Sequence, residues 1–139
     1  MHDQNNTTIR EQIAELARER YSAEEEHLWA RSPSDAILRR RDNGKWFAVL
    51  MTVSRARLGL DGEGNAQVMN VKCDELLIGS LLANDFVLPA YHMNKRKWIS
   101  VLLDGSADMS FIGSCLQMSY ELTAPRPKVK KDKNAQKSP

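Results

Sequence analysis

The chain has 139 residues, 42% of them hydrophobic and 27% charged, which suits one domain with a core of its own and no need of disulfides or a structural metal. Its formal charge of +2 excludes a uniformly basic nucleic-acid binder: residues 124–139 hold six basic residues against one acidic, a net of +5, leaving residues 1–123 with 14 basic against 17 acidic, a net of −3. No apolar run is long enough to span a membrane, and the polar opening stretch lacks the apolar centre of a signal peptide, so a cytoplasmic protein is expected.

Ile9, Ile13 and Leu16, extended by Ala17 and Tyr21, recur at helical spacing. Thr8 followed by Glu11 has the form of a capping box, so residues 7–21 are predicted as an amphipathic helix. Residues 22–33 read as a connection in which Leu28 and Trp29 cover an edge of the core. Pro33 stops any regular element there.

From residue 35 the period becomes two. Residues 36–41 and 45–53 flank Asp42, Asn43 and Gly44, which tolerate positive φ, so a β-hairpin is predicted. Simple alternation puts Trp46, Ala48 and Leu50 on one face and Phe47, Val49 and Met51 on the other. Both sets are apolar, as in an interior strand. Residues 61–65 form a turn and residues 66–72 the next strand. A helix is predicted over 74–84, with Asp74 as N-cap and Leu76, Leu77, Leu81 and Leu82 apolar. A strand over 97–103 and a helix over about 107–122 follow. Ile112, Cys115, Leu116 and Ser119 share a face of that helix, and Pro125 closes it. Cys73 and Cys115, with no CxxC and no Cys/His cluster, read as buried free thiols rather than metal ligands.

Strands grouped rather than alternating with helices imply the α+β class, an antiparallel sheet with helices packed on it. Residues 1–123 form the expected single domain. Residues 124–139, with three prolines and few apolar residues, form an expected disordered basic tail, either a solubilising extension or an arm for a polyanion.

Two stretches carry most of the polar chemistry. In residues 91–98, Lys95, Arg96 and Lys97 suit phosphates, Tyr91 or Trp98 suits stacking on a base or sugar, and His92 and Asn94 suit hydrogen bonds to a base edge or phosphate. The plainer reading is a loop entering a strand, with Trp98 in the core and Asn94 satisfying the turn. Arg39, Arg40, Arg41 and Lys45 bracket the hairpin turn, either as a basic wing for a groove or as charges that guard a strand end. The acidic turn with Asp61 and Glu63 suits phosphate poorly. No carboxylate pair, nucleophile motif, phosphate loop or metal spacing accompanies these residues, so no enzyme, cofactor or metal is expected.

Several ordered motifs resemble one family. They are Asn43-Gly44-Lys45-Trp46-Phe47-Ala48, Met69-Asn70-Val71-Lys72-Cys73-Asp74, the run from Tyr91 through His92, Met93, Asn94, Lys95, Arg96, Lys97 and Trp98 to Ile99, then Leu103-Asp104-Gly105-Ser106 and Ser119-Tyr120-Glu121-Leu122. Over residues 7–122 the chain resembles the MmcQ/YjbR family. The resemblance implies a CyaY-like (frataxin-like) α+β fold and a DNA-binding protein of the double-wing type. Leu88-Pro89-Ala90 departs from the Pro-Gly-Tyr turn frequent in that family, and the tail has no counterpart in it. The expectation is a monomeric, low-specificity DNA-binding protein. The alternative is a protein- or small-ligand-binding module with no nucleic-acid role.

Overall fold

The computed structural model describes residues 7–126. Helix α1 spans Ile9–Tyr21. It is started by the Thr8/Glu11 capping box, in which the Glu11 N–H donates to Thr8 Oγ1 at 3.0 Å and the Thr8 N–H donates to Glu11 Oε1 at 2.9 Å. Strands β1 (Ala36–Arg39), β2 (Trp46–Ser54) and β3 (Asn65–Lys72) follow. A 3-10 turn (Glu75–Leu77) then leads into a single turn of helix, α2 (Ile78–Leu81). Strands β4 (Val87–Pro89) and β5 (Trp98–Leu102) and helix α3 (Met109–Leu122) complete the order. The five strands form one antiparallel sheet in the order β1-β2-β3-β5-β4. The class is α+β, as the grouped strands imply.

Helices α1 and α3 cover one face of the sheet. Ile13, Ala17, Tyr21, Ile112, Cys115 and Leu116 pack against Leu38, Leu50, Met69, Val71, Ile99 and Val101 in one buried cluster. Cys73 and Cys115 are buried free thiols. Ser119, fully buried on α3, donates to the Phe47 carbonyl at 2.7 Å and accepts from the Lys72 N–H at 2.8 Å, tying the helix to the ends of β2 and β3. Among the described residues no long helix covers the other face of the sheet.

Three expectations are corrected. First, β2 does not alternate simply. Leu38 pairs with Ala48 but Arg39 pairs with Trp46, so Phe47 is an extra, unpaired residue, a β-bulge. The bulge sends Phe47 to the helix side with Ala48 and Leu50, where it packs edge-on against Tyr21 and Tyr120. Trp46 joins Val49 and Met51 on the open side. Second, the helix over 74–84 is reduced to the 3-10 turn and α2, with Leu76 90% exposed. Asp74 does cap, accepting from the Leu76 N–H at 2.9 Å. Gly79, a bond from Ser80 to the Leu77 carbonyl and one from Asn84 to the Leu81 carbonyl leave no run of strong helix formers. Beyond the expected helix the chain adds β4, whose Pro89 is tolerated because β4 is an edge strand. Third, Leu28 and Trp29 do not cover the main core. They stay 47% and 37% exposed, and Trp29 meets Trp46 on the open side.

Candidate functional site

The open face is built from one row across the sheet. Strand register places Ile37, Val49, Asn70, Ser100 and Leu88 side by side, all facing away from the helices. Asn70 and Ser100 are fully buried polar residues in the middle of this row. Buried polar groups are costly unless bonded, and here the loop after β4 bonds them. Asn70 Nδ2 donates to the Tyr91 carbonyl at 2.8 Å, the Tyr91 N–H donates to Ser100 Oγ at 2.9 Å, and Ser100 Oγ donates to Asn70 Oδ1. This three-residue latch folds the loop of residues 90–97 onto the sheet. Next in the chain, His92 takes a left-handed φ of 59° and stacks on the Tyr91 ring at 3.9 Å.

Between this loop and the connection before β1 lies a cleft of about 340 Å³. Its walls include Trp29, Trp46, Asp35, Tyr91, His92 and Met93, and its floor Val49, Met51 and Asn70. The two indoles meet edge-to-face, with centres 6.0 Å apart and planes at 89°. Asp35 is held on the rim by the Thr52 N–H, which donates to its Oδ1 at 3.0 Å. Sequence reading did not gather these residues. The available signal was Asn70 within an otherwise apolar strand, since such a residue needs a partner from outside its own strand.

The cations distribute unevenly. Arg39 is drawn into an ion pair with Glu26 at 3.1 Å and donates to the Gly44 carbonyl. Arg40 is only 6% exposed. It forks onto Asp42 at 2.9 and 2.8 Å, donates to the Tyr120 carbonyl and lies 3.7 Å from the centre of the Tyr120 ring. A guanidinium held this way is structural, so Arg40 is unavailable to a phosphate. Asn94 turns its chain: its Oδ1 accepts from the Arg96 N–H at 2.9 Å, and its carbonyl accepts from the N–H groups of Lys97 and Trp98. Arg96 is ion-paired with Glu75 at 2.6 Å yet stays 81% exposed. Arg41, Lys45, Lys95 and Lys97 are exposed and have no ion-pair partner among the described residues.

Register brings these last four to one place. The hairpin turn precedes Trp46, and the loop of residues 90–97 precedes Trp98; the pairing of β2, β3 and β5 puts both at the same end of the sheet. Lys72, beside Trp98 at that end, adds a cation that sequence reading passed over. Helix α3 also finishes there, since Asn43 Nδ2 donates to the Thr123 carbonyl at 2.8 Å. The basic tail expected over 124–139 lies outside the described residues from residue 127 on. The opposite end carries the turn with Asp61 and Glu63 together with Asp85, Asp104 and Asp108.

Local charge shifts follow the contacts. The Arg40 fork lowers the Asp42 carboxyl below its ordinary value and raises the Arg40 guanidinium. The hydroxyl and amide of Ser106 hold Asp104 low. Burial raises the Cys73 thiol and pushes Cys115 up to about 12. Among the described residues no group of three or more His, Cys, Asp or Glu side chains is placed to hold a metal ion, and no helix is long and apolar enough to cross a membrane.

Comparison with known proteins agrees with the architecture. The YjbR family model matches residues 11–122. The chain belongs to the YjbR family. It is 34% identical to the uncharacterized protein YyaQ of Bacillus subtilis over 114 residues, covering 82% of this chain and 97% of that protein. A Pseudomonas syringae protein shares this YjbR architecture in both crystal and solution structures. Identity is 36%, TM-scores are 0.80 and 0.75, and 83% of this chain matches 98% and 92% of theirs. A Deinococcus radiodurans protein, 18% identical with a TM-score of 0.64 over 90% of this chain and 87% of its own, shares the fold.

Proposed function

We propose that this YjbR protein binds nucleic acid with low sequence specificity, without catalysis, through the basic end of its sheet. Arg41 and Lys45 on the hairpin and Lys95 and Lys97 on the loop would contact phosphates, with Arg96 able to exchange Glu75 for a phosphate. The observation that supports this most is the convergence at one sheet end of Arg41, Lys45, Lys95 and Lys97, exposed cations with no ion-pair partner among the described residues. Such a local cluster orients a protein on a polyanion even when its folded part is acidic overall. The hairpin serves as one wing. The acidic turn of residues 61–65 sits at the wrong end to be a second, so the loop of residues 90–97 takes that place.

Four phosphate contacts to duplex DNA give a slope of about −3.6 in log affinity against log salt, or about 150-fold weaker binding at 200 mM than at 50 mM salt. Binding of a labelled duplex and its single strand to the full chain, to the R41A/K45A/K95A/K97A variant and to a variant with glutamine at Lys128, Lys130, Lys131, Lys133 and Lys137 tests it. The first variant should lose most of the slope and the second a smaller part. Loss of binding in the tail variant alone, or no binding by the parent chain, rejects the proposal.

A further inference from the structure

We propose that the cleft on the open face is a receptor for a small organic ammonium compound, with Trp29, Trp46 and Tyr91 around the cation and Asp35 balancing its charge. The lining is aromatic and apolar apart from a few polar groups, and it contains one carboxylate and no Lys or Arg. That composition selects by charge. A phosphate or carboxylate ligand between the aromatic walls would meet Asp35 with no Lys or Arg among the cleft's own lining residues to offset it. An uncharged apolar ligand would strip water from the Asp35 carboxylate and return nothing. A cation without strongly bound water, such as an alkylated ammonium, gains from both the ring faces and the carboxylate.

The geometry fits that occupant. The perpendicular indoles of Trp29 and Trp46 form a corner, and the stacked Tyr91–His92 pair brings a third aromatic wall. Trp29 remains 37% exposed in the cleft, an indole surface with too little protein against it to be simple core. Asp35 spends Oδ1 on the Thr52 N–H and keeps Oδ2 for a ligand. The volume of about 340 Å³ is at the small end of ligand sites, which suits a compact head group. Toward β2 the cleft continues past Asp35 into a more polar hollow lined by Thr52, Ser54 and Arg57, where Arg57 has no ion pair among the described residues. An anionic or hydroxyl substituent would lie there, which favours a zwitterion over a dication.

The test uses choline and its neutral carbon isostere, 3,3-dimethylbutan-1-ol, added to the full chain while the indole N–H signals are followed by NMR. Trp98 does not line the cleft and serves as an internal reference. Choline should shift the Trp29 and Trp46 signals saturably and leave Trp98 in place, and the isostere should bind roughly ten-fold more weakly, the scale of a desolvated cation–ring contact. D35N keeps the oxygen that receives the Thr52 N–H, so it should stay folded and bind choline several-fold more weakly. W29L, at a partly exposed position, should do the same. Equal binding of choline and the isostere, unchanged affinity in D35N, or no saturable shift overturns the proposal.

Discussion

Ser100 Oγ accepts the backbone N–H of Tyr91 at 2.9 Å, and through this bond the centre of the sheet holds the loop that carries Lys95 and Lys97. Ser100 is fully buried and its hydroxyl also serves Asn70, so its loss leaves two partners unsatisfied at once.

Ser100→Ala should therefore destabilise the fold by about 1–3 kcal/mol, the range for an orphaned buried polar group. Denaturant unfolding should show a lower midpoint with an unchanged slope, and amide exchange should quicken at residues 91–97. Exchange that stays at the parent rate would mean that the loop is held by other contacts.

Arg40 and Arg41 are neighbours with opposite fates. Arg40→Met removes the Asp42 fork, the bond to the Tyr120 carbonyl and the cation over the Tyr120 ring, and should cost about 1–3 kcal/mol in thermal or denaturant unfolding. Arg41→Ala, on the surface, should stay within about 0.5 kcal/mol of the parent. Equal stabilities would remove the structural role given to Arg40.

Leu76, at 90% exposure, makes a sharp contrast with a helix packed on a core. Leu76→Ser should change stability by less than about 0.5 kcal/mol, whereas the same change in a buried leucine such as Leu116 should cost several times more. A large loss at Leu76 would restore the longer helix over 74–84.

Stability should fall at both extremes of pH. Asp42 and Asp104 have folded values below their unfolded ones, so the stability they add is present above the ordinary carboxylate range and lost as pH drops through it to the lowered values. Cys73 and Cys115 have raised values, so their stability is present below the ordinary thiol range and lost as pH rises from about 8.5 toward the value near 12 for Cys115. Denaturation midpoints across pH would show both limbs, and Asp42→Asn should flatten the acid one. At pH 8 both thiols should resist a thiol reagent until the chain unfolds.

Helices α1 and α3 and the interior strands were legible because local chemistry and tertiary environment agree there. Thr8 with Glu11 starts α1, and Ile112, Cys115, Leu116 and Ser119 do share the buried face of α3. The short α2 was not legible, because four leucines suggest a core face and nothing local shows that no core lies beneath them. The cleft was hidden for two reasons. Trp29 finds Trp46 only through tertiary contact, and an apolar run such as Trp46-Phe47-Ala48-Val49 fits either phase of a strand, so the bulge leaves no mark in it. The candidate cations were found as residues, but whether a guanidinium is free or engaged depends on partners such as Glu26 and Tyr120, far away in the chain.

The unpaired Phe47 turns residue count into a constraint. Deleting Trp46 or Phe47 would restore plain alternation with one aromatic missing from the cleft or from the helix packing. Deletions and insertions in the link between β2 and β3 leave the phase of both strands intact, and their effect is confined to the packing of Leu58 and Leu60 on Val53, Ala66, Val68 and Leu102 and to the place of Arg57 in the polar hollow. They are not tolerable at the start of β2, where a single step would disturb the support of the helices and the walls of the cleft together.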